Sequence, residues 1–345
     1  MGGAFSKKKK AAQQQMDRQN RRLSVTGLPN IGFDKNTEGQ SKEKGATSSL
    51  RYACLSNAGY EPDGNKKTNQ DAYVSIPEFG HPSVSLFGVF DGHGAVGHLV
   101  SAYVKRMWPL ALDKETLKAQ SVRADGIDSS VVSKMLEKSF IEVNKSLEVE
   151  RSIDSSLSGT TAVGGVVIGA PGKRKVVIAN SGDSRAVIAT MEGGKLVAKP
   201  LSDDQKPDRE DERRRIIASG GRVEPLFDED GEPIGPARVW LPNMMLPGLA
   251  MSRSLGDDIA ATVGVYANPE VLVYDMSEAD QFMVIASDGV WEFLSNEQVV
   301  GIVESCNGDA ERAAQEICAK SYQEWRAEEE VVDDITAIVV FFEQA

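Results

Sequence analysis

Cysteine is scarce in this chain, with three in 345 residues: Cys54, Cys306 and Cys318. Their positions give neither a metal-ligand spacing nor a disulfide framework, so a reducing compartment is expected. Long hydrophobic runs are also lacking. No apolar stretch approaches the roughly 20 residues of a membrane span. No signal-peptide core follows Met1. Positive charge is in deficit, with 39 Lys+Arg against 51 Asp+Glu and a formal charge of −12. That balance argues against nucleic acid as a partner of the main body. The remaining composition, 41% hydrophobic and 26% charged, is that of a globular protein able to bury a large core without staples.

The charge is unevenly spread. Residues 1–22 hold seven basic groups and one acid, a net of +6, so the remainder carries −18. Up to residue 49 the sequence is polar and aperiodic, and residues 1–49 are read as a disordered basic tail. Its opening, Met1 to Ser6, fits the N-myristoylation pattern, with Gly2 as the acceptor. One acyl chain holds a membrane only marginally and needs a second signal. Lys7 to Lys10 supply it on an anionic leaflet. The expectation is therefore a peripheral protein on the cytoplasmic face of a membrane; a nuclear-localisation reading of the Lys run is the lesser alternative. Arg21-Arg22-Leu23-Ser24 resembles a basophilic kinase site, making Ser24 a candidate phosphosite whose phosphate would lower the positive charge of the arm.

From Leu50 the character changes. Apolar runs of strand length occupy 85–90, 161–168, 176–179, 186–189, 271–274, 282–286 and 335–342. Three fall consecutively between 161 and 189 with Gly-rich or Ser/Asp turns between them. That argues for hairpins, not βαβ alternation. Helical faces are legible in Val96–Met107, Leu136–Leu147 and 309–326. Ser295 and Gln298 have capping-box spacing. Residues 208–219 read as a solvated helix with Glu210/Arg214 and Asp211/Arg215 pairs. Residues 227–236 read as an acidic surface loop. No repeat and no linker interrupts residues 50–343, so one α+β domain is expected.

Several of these strands stop at an aspartate. Phe90 is followed by Asp91-Gly92-His93-Gly94, and Ala286 by Ser287-Asp288-Gly289. Asp333-Asp334 precede the last strand, and Asp71 opens another apolar stretch. A single such aspartate is usually a turn former. Several at the same edge of packed strands repel one another unless a cation neutralises them. Hard oxygen donors without cysteine suit Mg²⁺ or Mn²⁺. Gly92, lacking a side chain, lets its backbone approach an ion closely.

At these residues the sequence resembles the type 2C, metal-dependent serine/threonine protein phosphatases. The matching segments are 69–73, 89–94, 158–163, 180–187, 206–223, 249–257, 286–294 and 333–340, in the family's order. The resemblance implies a four-layer αββα fold, in which two antiparallel β-sheets form a sandwich flanked by helix layers. It implies a site for two Mg²⁺ or Mn²⁺ ions, with a weaker third. Asp91 corresponds to the carboxylate bridging both ions, Gly92 offers its carbonyl, and Asp288 and Asp333 resemble ligands of the second. Asp71 matches a water-linked acidic position and Asp183 the weaker site. His93 resembles the general acid. The implied reaction is hydrolysis of phosphoserine and phosphothreonine proteins by an activated water, without a covalent phosphoenzyme, and the protein is expected to be a monomer. Three departures stand out. Gln70 replaces a common Glu, Lys66-Lys67 stand where many members have a phosphate-binding Arg, and Asp334 replaces a common Asn, leaving open whether Asp333 or Asp334 ligates. The competing readings are another two-metal phosphoester hydrolase and a catalytically weak phosphatase-like binding module.

Overall fold

The strands that read as unbroken apolar runs are buried on both faces. In β17 (Ile335–Phe342) all eight residues are buried, and alternate side chains enter different cores. Ala337, Val339 and Phe341 face one cluster, while Ile338, Val340 and Phe342 face another. This is the period-2 geometry of a strand filled on both sides. The computed structural model describes residues 40–47, 49–123 and 126–343.

Two antiparallel sheets form the centre. The six-stranded sheet runs β1 (Gln40–Ala46), β2 (Leu50–Asn57), β17, β16 (Asp280–Ala286), β9 (Arg185–Glu192), β10 (Lys195–Pro200). The five-stranded sheet runs β15 (Glu270–Asp275), β8 (Lys175–Ser181), β7 (Ala162–Ile168), β4 (Val84–Phe90), β3 (Ala72–Ile76). Phe87, Val89, Val163 and Ile178 of the second meet Ile188, Met283, Ile285 and Ile338 of the first.

Helices cover the outer faces. On the five-stranded sheet, α1 (Gly97–Ala111) and α3 (Ser129–Glu148) bury Val104, Trp108, Leu136 and Phe140 against Leu86, Phe90, Val166 and Val177, with α2 (Lys114–Ser121) beside them. On the other side α7 (Asn296–Ser305) and α8 (Ala310–Glu328) bury Val299, Val303, Ala314 and Ile317 against Val284 and Val339. The expected capping box at Ser295 and Gln298 is present. Short α5 (Asp258–Ala261), α6 (Asp288–Trp291), β5 (Gly92–His93), β6 (Gly159–Thr160) and β14 (Leu255–Gly256) lie among the connections. The architecture is the expected four-layer αββα sandwich.

Three local expectations are corrected. Residues 40–46 of the tail form β1, paired with β2 from Gln40↔Asn57 to Ala46↔Arg51. The strand carries Lys42 and Lys44 on an exposed edge. It is held by the backbone ladder, so it leaves no apolar signal, and lysines at an edge deter further pairing. Residues 227–236 are not a free loop. β11 (Arg222–Phe227) and β12 (Pro233–Trp240) form a hairpin, extended by β13 (Pro247–Leu249). Its turn closes through Asp228 N–H to Glu232 O at 2.9 Å and Gly231 N–H to Asp228 O at 3.1 Å. Leu226, Ile234 and Trp240 bury its inner face. In α4 (Glu210–Ala218) Arg214 pairs with Glu210 as expected. Arg215, however, pairs with Glu212, and Asp211 with Arg209. The tail readings at Gly2, Lys7 to Lys10 and Ser24 lie outside the described residues.

Candidate active site

Strand register gathers the aspartates. Ala72 pairs with Phe90, placing Asp71 and Asp91 side by side at one end of the five-stranded sheet. Ala162 pairs with Ser181 at the same end, just before Asp183. In the other sheet Ala286 pairs with Ala337 and Ile335 with Asn57, so Asp288 and Asp333 emerge together. The structure thus brings Asp71, Asp91, Asp288, Asp333 and Asp183 to one edge of the sandwich.

The carboxylates are close enough to perturb one another. Asp91 is held well above the usual carboxylate range, first by burial and then by repulsion from Asp288, Asp71 and Asp333. Asp71 is raised likewise by burial and Asp334, although Ser287 Oγ donates to its Oδ2 at 2.9 Å. Asp288 is pushed up to about 7, by burial and by Asp183 and Asp333. Asp183, 1% exposed, takes Lys206 Nζ at 2.5 Å. Burial opposes the charge on Lys206, but Asp183 and Asp288 outweigh it and hold the ammonium above the ordinary lysine range. Oδ1 of Asp71, Asp183 and Asp288 is in each case buried without a hydrogen-bond partner. Orphaned anionic oxygens on aspartates at one edge of the sandwich fit hard divalent cations, and Mg²⁺ and Mn²⁺ take such donors.

The paired Asp333-Asp334 separates cleanly. Asp334, 4% exposed, accepts Gly59 N–H at 2.6 Å and Gln70 N–H at 2.8 Å, one on each oxygen. Asp333 has a side chain 41% exposed and meets Lys67 Nζ at 2.6 Å. Lys67 therefore lies within the cluster, while Lys66, exposed, closes the preceding turn by an antiparallel bridge to Tyr60. Gln70 Nε2 donates to Gly94 O at 2.9 Å, bracing the loop after Gly92. A Cβ at Gly92 would stand 2.5 Å from both Gln70 O and Gly97 O, so only glycine fits.

His93 Nε2 lies 2.6 Å from Asp257 Oδ2, and Asp257 is 2% exposed. Burial opposes charge on the imidazole, but Asp257 outweighs it and His93 is held above its ordinary range. Ser254 Oγ also donates to Asp257 Oδ2, at 2.6 Å. Nδ1 of His93 is buried without a partner. Gly159 closes over this pair: a Cβ there would meet Asp257 Oδ2 at 2.2 Å and His93 Nε2 at 2.8 Å. Sequence reasoning placed Asp257 in a motif but gave it no role, and missed Gly159 and Lys206 altogether. The one available signal was their inclusion in the matching segments.

A second acidic group, Asp211, Glu212 and Glu270, has oxygens within 4.8 Å of one another. Arg209, Arg215 and Arg253 already neutralise it. Burial opposes charge on Glu212, yet bonds from Arg215, Arg253 and Ser252 pull it down to about 2. Guanidinium groups stand where an ion would, and the cluster is an internal clamp.

A family model described as "Protein phosphatase 2C" matches residues 58–329. The chain is 39% identical over 305 residues to "Probable protein phosphatase 2C 35" of Arabidopsis thaliana, covering 84% of this chain and 83% of that protein. It is 36% identical to "Probable protein phosphatase 2C 75" of Oryza sativa subsp. japonica, covering 88% and 74%. The crystal structure of a serine-threonine phosphatase 2C from Toxoplasma gondii superposes with a TM-score of 0.74 at 22% identity, covering 88% of this chain and 99% of that one.

Proposed function

The chain belongs to the protein phosphatase 2C family of metal-dependent serine/threonine phosphatases, and from that membership we propose how its own residues carry out the reaction and where it works. Asp91, the Gly92 carbonyl, Asp288 and Asp333 would hold two Mg²⁺ or Mn²⁺ ions, with Asp71 behind them and Asp183 at a weaker third position. Bound there, such ions would supply a water of lowered pKa and offset charge on the phosphoryl oxygens. The observation that carries this reading is the set of buried, partnerless carboxylate oxygens on Asp71, Asp183 and Asp288.

The remaining roles follow from position. Lys67, beside Asp333, attracts the substrate phosphate as a point charge without the fork of an arginine; Lys66, exposed next to it, adds to that field. His93 protonates the departing serine or threonine oxygen, which leaves poorly as an alkoxide. Asp257 occupies Nε2, so Nδ1 is the atom that delivers the proton. Asp334 secures Gly59 and Gln70 through their amides, which supports Asp333 as the ligand of the pair. Phosphoserine and phosphothreonine proteins are the substrates. A myristoyl group on Gly2, with Lys7 to Lys10, keeps the enzyme at an anionic membrane surface, and a phosphate on Ser24 weakens that hold.

Asp91→Asn tests the site. Turnover of a phosphopeptide with Mn²⁺ is expected to fall to near background while the circular dichroism spectrum is kept. Near-normal turnover would overturn the assignment. An inactive binding module would show no activity even in the unaltered chain.

A further inference from the structure

The opposite end of the five-stranded sheet carries a basic concavity that the phosphatase reading does not use. The turn between β7 and β8 contains Gly172-Lys173-Arg174 and runs into β8 at Lys175. With Ile127 and Asp275 these residues line a cavity of about 380 Å³. β8 starts here at Lys175 and ends at Ser181 beside the carboxylate cluster. At about 3.3 Å per residue, the two places are roughly 20 Å apart.

Arg174 is the informative residue. It is 7% exposed, and no described residue offers its guanidinium a carboxylate or a hydrogen bond. Burial alone acts on it, holding it below the ordinary arginine range. Among the described residues Asp275 is the one acid lining the cavity, and it is paired with Lys175. Lys173 is exposed at the rim. Cations therefore outnumber acids here, in a body whose residues beyond 22 carry −18. A guanidinium that no described side chain bonds, with two ammonium groups beside it of which Lys175 is shared with Asp275, matches the geometry and charge of a phosphate dianion better than a carboxylate. The volume falls within the range of small-molecule sites, about 300–1,000 Å³, and leaves room for the group bearing the phosphate.

We propose that this cavity is a phosphate-binding site, separate from the catalytic edge, for a phosphomonoester or free phosphate. The ligand supplies a countercharge to Arg174 and the lysines beside it.

The test uses the full chain with metals removed by EDTA, so that ions at the carboxylate cluster cannot recruit the anion. Inorganic phosphate and O-phosphoserine are titrated separately by calorimetry at fixed ionic strength, since screening would otherwise mimic competition. Wild type is expected to bind in the millimolar range or tighter, and Arg174→Met to weaken binding about tenfold or more, equivalent to losing about 1.4 kcal/mol. Arg174→Lys, which keeps the charge and loses the fork, is expected to fall between and serves if the Met variant does not fold. Activity with Mn²⁺ on a phosphopeptide at low phosphate should be unchanged in either variant. Tighter binding of O-phosphoserine assigns the site to a phosphorylated residue; tighter binding of inorganic phosphate assigns it to the free anion. No binding by wild type, or equal binding by wild type and both variants, overturns the proposal.

Discussion

Asp257→Asn should slow the enzyme in a way that depends on the leaving group. The substitution keeps the shape of the side chain and removes the charge facing His93 Nε2. That contact is 2.6 Å long, and its acceptor is 2% exposed. A buried, charge-assisted hydrogen bond of this kind contributes about 1.5–3 kcal/mol. If that energy orients His93 in the transition state, its loss lowers kcat by roughly 10- to 150-fold. The loss should appear with phosphoserine and phosphothreonine peptides, whose alkoxides need a proton. It should be several-fold smaller with p-nitrophenyl phosphate, whose phenolate leaves without one. KM should change little, because Asp257 touches no substrate in this scheme. Gly159→Ala provides an independent route to the same phenotype, since its Cβ would collide with both partners. Parallel kcat measurements on the two substrates with Mn²⁺ decide the matter. Equal losses on both, or an effect confined to KM, would refute the role given to the pair.

Asp333→Asn should remove most phosphopeptide turnover, whereas Asp334→Asn, which keeps a carbonyl for one of the Gly59 and Gln70 amides, should retain more of it; a reversed order would exchange the two roles. Glu212 has a folded pKa of about 2 against an ordinary 4.5, so the stability it contributes is present above pH ~4.5 and lost as pH falls toward 2. That contribution is about 3 kcal/mol, and urea unfolding between these pH values should show a steeper decline in the wild type than in Glu212→Gln. Gly2→Ala should release the protein from anionic vesicles, and high salt should weaken the wild type's binding through its Lys contribution alone. A Gly2→Ala protein that stays wholly vesicle-bound would place the anchor elsewhere.

The central strands were legible because burial on both faces forces an unbroken apolar run. Ile335–Phe342 and Val84–Phe90 have no polar alternation to confuse with a helix. β1 was not legible, because backbone pairing to Leu50–Asn57 leaves no hydrophobic trace in Gln-Ser-Lys-Glu-Lys-Gly-Ala. The β11–β12 hairpin was hidden by Pro233, Gly235 and Pro236, which mark loops unless a partner strand is known. The metal-site aspartates could be read as candidates because each ends or begins an apolar strand. Their convergence follows from register, as with Ala72↔Phe90, which no single run encodes. Asp257 sits between the two-residue β14 and the one-turn α5, with no apolar run to point at it. Glu212 misled more actively. Its charge sits in a run of eight charged residues, Asp208 to Arg215, that reads as solvated, yet the group is 1% exposed.

The polar network around Glu212 explains how the segment carrying Asp257 is held. Asp257 has φ of 51°, in the left-handed region, where a non-glycine residue costs about 1–2 kcal/mol and persists only if its surroundings demand it. Ser252 N–H and Oγ both donate to Gln205 O, each at 2.8 Å. Arg253 is fixed by Glu212, Glu270 and the Asn268 carbonyl. Ser254 bonds Asp257 directly. Gln205 also reaches the other side of the cleft: its Oε1 accepts Gly182 N–H at 2.7 Å and its Nε2 donates to Asn180 O at 3.0 Å. Its neighbour Lys206 neutralises Asp183. The dipeptide Gln205-Lys206 thus joins the turn bearing Asp183 to the segment bearing Asp257. A satisfied buried network of this kind is rigid, because each bond that breaks strands another polar group away from water. Carboxylates that repel one another and an imidazole that must meet a leaving oxygen both need such a frame, since placement errors of about 1 Å can cost 100-fold in rate.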